Sequence, residues 1–353
     1  MKKILALDGG GIKGLMTAIV LRDIERQLPG AEKVDLDKTN IIKDHFDLVA
    51  GTSTGSILAA AICTGRSLNN IIELYEEKGG EIFQPNLKLW GNRVLRTFSQ
   101  GVSHPKHSDK GLAKELKAEF SNGRGEIKLG SKLIKTPLLI QAFDATLHEP
   151  IVFKSHHCDD KSDKSLNLWE VVKASASAPT FFPSHSLRYR DHDKPHAMID
   201  GGVFANNPSM IALSEAFSLG WDKKEDILLV SLGTSEEIAE GISAKKGKEL
   251  GAMEWALPLI GIFMGGASRH VHSLAKRVLG SSGNEGSKYL RFQMFTEEDI
   301  PMDEAATKDI DVMKELAQSY INGFPGDTPA RKLHLKSGYE YRKNLQELLL
   351  LMK

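Results

Sequence analysis

Asp47-Leu48-Val49-Ala50-Gly51-Thr52-Ser53-Thr54-Gly55 runs directly into Ser56-Ile57-Leu58-Ala59-Ala60-Ala61-Ile62. An apolar run stops at a glycine, a serine stands two residues on, and a second glycine follows before small residues take up a helical pattern. The order is that of strand, tight turn and helix, with Ser53 at the apex. Gly51 and Gly55 leave room for a strained turn and for a helix packed close on a strand. Such a turn lifts the hydroxyl out of the sheet, with a helix N-terminus behind it that favours developing negative charge. The pattern is short, so its weight depends on what surrounds it.

Upstream, Ile4 to Leu7 reads as a short buried strand, followed by Asp8-Gly9-Gly10-Gly11-Ile12-Lys13-Gly14 and a helix carrying Leu15, Ala18, Ile19, Ile24 and Leu28. Two uses fit that loop. Gly9, Gly11 and Gly14 satisfy the spacing of a dinucleotide-binding turn, but an Asp precedes them and no strand ending in an acid follows about 20 residues on. Alternatively, consecutive glycines aim several backbone N–H groups at one point, a nest for a phosphate or for the oxyanion of acyl transfer. Lys13 either adds positive charge there or is a solvated cation.

Downstream, Ser67 and Ser108 stand where helix caps belong, and the segment between Phe83 and His107 has no clean period. Leu138–Phe143 and Ile151–Phe153 are strand candidates. A helix from Leu168 runs into Ala174-Ser175-Ala176-Ser177-Ala178-Pro179, whose small residues permit close packing. Ala197-Met198-Ile199-Asp200-Gly201-Gly202 is a short apolar strand ending in an acid. Asn206-Asn207-Pro208-Ser209 starts a further helix, and Ile227–Leu232 is another buried strand that Gly233 ends. Asp200 is either a turn aspartate bonded to its own backbone or an acid with a chemical role.

His156-His157-Cys158-Asp159 lies in a polar loop and lacks the paired spacing of a metal site. Past Gly241 helical stretches dominate. Met253–Met264 is apolar but interrupted by Pro258 and Gly261, which suits a buried helix, a lipid-facing lid or a partner surface. Leu345, Leu348, Leu349 and Met352 share a helical face expected to dock on the core.

The chain has 353 residues, enough for a large core, and its 46 basic and 46 acidic residues give no long-range field for nucleic acid. Cys63 and Cys158 cannot hold a metal by themselves, and the packing of Cys63 among small residues suits a core position. No run approaches about 18 apolar residues, and the apolar start after Met1-Lys2-Lys3 breaks at Asp8, so a cytoplasmic protein is expected.

Taken in order, Asp8-Gly9-Gly10-Gly11-Ile12-Lys13-Gly14, Gly51-Thr52-Ser53-Thr54-Gly55 and Asp200-Gly201-Gly202 closely resemble the motifs of the patatin-like phospholipase family. The Ala174–Pro179 and Asn206-Asn207-Pro208 stretches also look like family blocks. The resemblance is firm over the first two thirds of the chain and loose beyond. It implies an α/β fold, a three-layer α/β/α sandwich with a mainly parallel central sheet. Residues 1–240 would form the catalytic core and 241–353 a mainly helical C-terminal portion packed on it.

The resemblance further implies Ser53 as nucleophile, Asp200 as its base without a histidine, and Gly9, Gly10 and Gly11 as the oxyanion loop. Asp8, Lys13, Gly14, Gly51, Gly55, Gly201 and Gly202 complete the motifs. No metal or cofactor is implied. The expected substrate is a phospholipid or other lipid ester, reached by transient contact with a membrane surface, such as the inner face of the cell membrane. Two other readings stand beside this one. His270, His272 or His334 could serve a Ser-His-Asp esterase. The compact layout also resembles bacterial phospholipase effectors of anti-phage signalling that cyclic dinucleotides switch on, which would make a small-molecule activator a partner.

Overall fold

A computed structural model describes the chain except residues 85–103, 157–162, 191, 222, 239–241, 281–287, 298–299, 324–334 and 353. Strand β1 (Lys2–Leu7) leads through the glycine loop into α1 (Gly14–Gln27). A single helical turn, α2 (Ile42–His45), precedes β2 (Leu48–Thr52) and α3 (Thr54–Thr64). Helices α4 (Leu68–Ile82) and α5 (Asp109–Glu119) follow, capped by the Ser67 and Ser108 hydroxyls, which accept the N–H of Asn69 and Lys110.

A two-residue hairpin, β3 (Ser121–Asn122) and β4 (Gly125–Glu126), precedes β5 (Leu138–Asp144) and β6 (Glu149–Lys154). Next come α6 (Leu168–Ser175), β7 (His185–Leu187), β8 (His196–Asp200), the short α7 (Gly202–Ala205) and α8 (Ser209–Ser218). The chain then passes through β9 (Ile227–Glu237), α9 (Ala244–Glu249), α10 (Ala252–Leu279), β10 (Tyr289–Thr296), α11 (Thr307–Asn322) and α12 (Leu335–Leu351).

The sheet order is β10-β9-β1-β2-β5-β8-β7, with β6 also on β5. β10, β9, β1, β2 and β5 pair in parallel, whereas β6, β7 and β8 enter antiparallel. β1 lies inside the sheet between β9 and β2, and its alternation builds the layers. Leu5 and Leu7 pack in the core that holds α1, α3, α4 and α11 residues, while Ile4 and Ala6 pack with Ala212, Leu213 and Ala216 of α8 and Ala275 and Leu279 of α10. The fold is therefore helices, sheet, helices.

The C-terminal third departs from the helical expectation in one respect. β10 extends the sheet as a parallel strand, pairing Tyr289 to Phe292 with Leu229 to Leu232 of β9. Strands on either side of residue 240 are thus neighbours in a single sheet. β9 also continues past Gly233 to Glu237, because Met294, Phe295 and Thr296 of β10 pair with Ser235, Glu236 and Glu237 after a bulge. Leu345 and Leu348 on α12 and Met352 just after it are buried, and Tyr341 meets Phe292 of β10 edge-on. Among the described residues no helix is long and apolar enough to cross a membrane.

Candidate active site

The register of β5 brings Ser53 and Asp200 together. Gln141 and Ala142 are consecutive on that strand; Gln141 pairs with Thr52 of β2 and Ala142 with Asp200 of β8. β6 lies along the opposite edge, pairing with both Gln141 and Ala142. The ends of β2 and β8 therefore meet head to head on the same edge of β5. Gly201 makes this possible, since a Cβ there would strike the Gln141 carbonyl.

Ser53 sits at the junction of β2 and α3 with φ 54° and ψ −125°, a positive φ that few side-chain-bearing residues adopt. Strain of this kind persists only where the surroundings hold it, and it collects at functional sites. Here the holding contacts are explicit. The Ser53 N–H donates to Ser175 Oγ at 2.9 Å, and the Ser53 carbonyl accepts from the Ser56 N–H at 2.8 Å and the Ser56 hydroxyl at 2.6 Å. A Cβ on Gly55 would run into the carbonyls of Leu7 and Asp8, and one on Gly51 into Gly55. The two glycines let α3 rest directly on β1 and β2, and Gly14 likewise gives way to Thr54.

Asp200 is 2% exposed. Its Oδ1 accepts the Gly202 N–H at 2.7 Å, while the buried Oδ2 lacks a hydrogen bond of good geometry. Burial pushes the carboxyl up to about 6, against the opposing pulls of the Ser53 hydroxyl and the Gly202 N–H. Ser53 and Asp200 border the same cavity, with no hydrogen bond of good geometry on Oδ2. Such bonds are commonly long in an empty site and tighten around substrate.

The α6 terminus ties both residues down. Ser175 carries Ser53 on its hydroxyl and the Gly201 N–H on its carbonyl at 3.3 Å, and the Ser177 carbonyl accepts the Asp200 N–H at 3.0 Å. The alternating Ala-Ser run reads in sequence as close packing alone. Its serines add hydrogen-bonding capacity, which is the signal that could have identified Ser175.

In the glycine loop the donors divide. Gly9 differs from its expected role, because its N–H is taken by the Asn206 carbonyl at 3.0 Å. The Asp8 N–H goes to Leu232 and the Ile12 N–H to Met302. Neither the Gly10 nor the Gly11 N–H has a partner among the described residues. Gly11 has φ +60°, and a Cβ on Gly9 would come 3.0 Å from the Ser53 Cβ. Lys13 turns aside, its Nζ donating to the Ser235 carbonyl at 3.1 Å.

Ser53, Asp200 and Gly11 border a cavity of about 50 Å³ walled by Ile57, Ile82, Leu112, Phe182 and other apolar side chains. Gly9, Gly10 and Lys13 face a more polar pocket of about 340 Å³, and Phe181, Met264 and Met302 border both spaces. Among the described residues no histidine lines the Ser53 cavity. The His272 ring instead meets the Tyr289 hydroxyl at 3.0 Å beside a separate pocket, and burial lowers it to about 4. His334 lies outside the described residues, as do His157, Cys158 and Asp159.

Comparison with known proteins gives the family. A family profile described as Patatin-like phospholipase matches residues 5–213, from β1 into α8. The chain belongs to the patatin-like phospholipase family. Patatin-like protein 1 of Arabidopsis thaliana is 30% identical over 337 residues, covering 86% of this chain and 77% of that protein. Patatin-like protein 2 of the same plant is 28% identical, covering 95% and 85%. A Solanum tuberosum relative named Probable inactive patatin-3-Kuras 1 is 28% identical, covering 73% and 70%. Among solved structures, VipD from Legionella pneumophila aligns over 99% of this chain and 75% of its own, with 17% identity and a TM-score of 0.40.

Proposed function

We propose that the protein is a serine lipid acyl hydrolase of the phospholipase A type, working through a Ser53–Asp200 dyad. The observation that carries this reading is the meeting of a strained Ser53 with a buried Asp200 whose Oδ2 is unengaged and whose pKa is raised to about 6. A general base works best with a pKa near the working pH, and an ordinary exposed aspartate is too weak.

In the first step Ser53 Oγ attacks the ester carbonyl carbon while its proton passes to Asp200. Negative charge then grows on the carbonyl oxygen, which the Gly10 and Gly11 N–H groups receive. A donor aimed at such an oxygen is worth about 3 kcal/mol in related sites. Collapse breaks the bond to the alcohol, which departs with the proton from Asp200 and leaves acyl-Ser53. Water then attacks the acyl carbon, Asp200 takes its proton, and release of the fatty acid returns that proton to Ser53.

The apolar walls around Ser53 suit an acyl chain, but about 50 Å³ is far below the ~300 Å³ or more of a working ligand pocket. Substrate entry therefore requires side chains to move. Met264 and Met302 are suited to this, being unbranched and shared with the larger pocket on the other side. Beside Met264 on α10, Ile262 and Phe263 are 46% and 58% exposed. They give α10 an exposed apolar surface suited to contact with lipid.

The test is covalent capture. A fluorophosphonate should label wild-type protein on Ser53 and fail to label Ser53→Ala, and wild type should release fatty acid from a phospholipid panel. Labelling elsewhere, or no ester cleavage by labelled-competent protein, would refute the assignment.

A further inference from the structure

Asp8, the residue before the glycine loop, is gripped from the far end of the chain. Arg291 Nη1 donates to Asp8 Oδ1 at 2.8 Å and Nη2 to Oδ2 at 2.6 Å, while the Ser268 hydroxyl donates to Oδ2 at 3.0 Å. The Asp8 and Arg291 side chains are 3% and 10% exposed. Arg291 is itself aimed by Ser231 Oγ and Gln293 Oε1, each at 2.6 Å. Gly233 leaves space for it, since a Cβ there would press on Gln293 and on Arg291 Nη2.

These contacts act on a short piece of backbone with two loose donors. The Asp8, Gly9 and Ile12 N–H groups are fixed by Leu232, Asn206 and Met302, whereas those of Gly10 and Gly11 have no partner among the described residues. The Asp8 side chain is the loop's one polar side-chain handle at its N-terminal end. A single hydrogen bond would let that carboxylate rotate, whereas two parallel bonds from a planar guanidinium fix both its position and its plane.

We propose that Arg291 is a positioning residue for the oxyanion loop: through its two-point grip on Asp8 it sets the direction of the Gly10 and Gly11 N–H groups. The inference rests on the acyl-hydrolase reading of Ser53. It assigns the C-terminal strand β10, beyond the segment matched by the family profile, a part in holding the reaction's transition state. Oxyanion donors act only when about 2.7–3.1 Å from the oxygen that develops charge, so a small tilt of the loop is costly. Ground-state binding of the ester, which depends on the apolar cavity, is little affected.

The experiment measures hydrolysis of a short soluble ester by wild type, Arg291→Lys and the double variant Asp8→Asn/Arg291→Gln. Rates are divided by the end-point fluorophosphonate titre, which counts folded, competent sites. Arg291→Lys keeps the charge but offers no planar fork; the double variant replaces the buried ion pair by a neutral polar pair, leaves no buried charge unpaired and so guards against misfolding. The expected result is a fall in kcat per titrated site of about 10- to 100-fold in both, with KM within about twofold, from the cost of misplacing catalytic groups. Arg269→Met, at an exposed position paired with Glu236, should match wild type.

A purely structural role would lower the titre or the melting temperature and leave kcat per site unchanged, and that result overturns the inference. Failure of wild type itself to label or hydrolyse would instead overturn the acyl-hydrolase reading beneath it.

Discussion

Ser175 holds Ser53 by its backbone: its hydroxyl accepts the Ser53 N–H at 2.9 Å, and its carbonyl accepts the N–H of Gly201, next to Asp200, at 3.3 Å. One residue thus connects the two ends of the candidate dyad. Ser175→Ala removes the hydroxyl and leaves a buried N–H without a partner, a loss of about 1–3 kcal/mol. The variant should melt earlier, and kcat should fall while KM stays near wild type, because Ser53 would no longer be fixed in its strained conformation. Denaturant titration and steady-state kinetics on one preparation check both effects.

Asp200 couples activity and stability to pH in opposite directions. Its carboxyl must be ionised to accept the Ser53 proton, so kcat/KM should lose activity below a limb near pH 6. Because the folded-state value is raised from 3.8 to about 6, this group's contribution to stability is complete below pH 3.8 and is lost as pH rises through 6. Asp200→Asn should therefore be more stable than wild type at pH 8, by up to about 3 kcal/mol from the size of the shift, with the difference vanishing near pH 4. Chemical denaturation at the two pH values measures it.

Gly55 is required by contact distance. A methyl group there would meet the carbonyl oxygens of Leu7 and Asp8, so Gly55→Ala must push α3 away from β1. Overpacking of this kind costs about 1–3 kcal/mol. Activity should drop as well, since the same helix carries Ser53 at its N-terminus. A thermal melt with a fluorophosphonate titre would reveal both.

Phe263 separates surface contact from chemistry. Phe263→Asp places a charge where an exposed ring stands on α10, so sedimentation with phospholipid vesicles should weaken. Hydrolysis of a short soluble ester should remain close to wild type. Equal vesicle binding by the variant would remove α10 from the lipid contact.

Much of this site was legible because its signals are local. The apolar run ending at Gly51, the serine at the apex and the small-residue helix after Gly55 fit within 16 residues, and steric demand alone explains each glycine. Asp200 stood out as an acid at a strand end. What sequence could not supply was pairing across the chain. Asp8 and Arg291 lie 283 residues apart, and nothing near either one names the other.

The division of donors among the glycines is hidden from sequence for a related reason. Three adjacent glycines look equivalent until Asn206 takes the first N–H. β10 is hard to read from sequence although Tyr289 to Thr296 alternates regularly, because it lies between helical stretches and carries Arg291 and Gln293, side chains that ordinarily face solvent. They face Asp8, Ser231 and Thr234 instead.

The central claim is that Asp200, without a histidine, is the base for Ser53. Fatty acid release from phospholipid vesicles by wild type and by folded Asp200→Asn, compared at pH 8, tests it most directly. The dyad requires a loss of about 10²–10⁴-fold in the variant, the range set by removal of a general base. Hydrolysis by Asp200→Asn within a few-fold of wild type would contradict it.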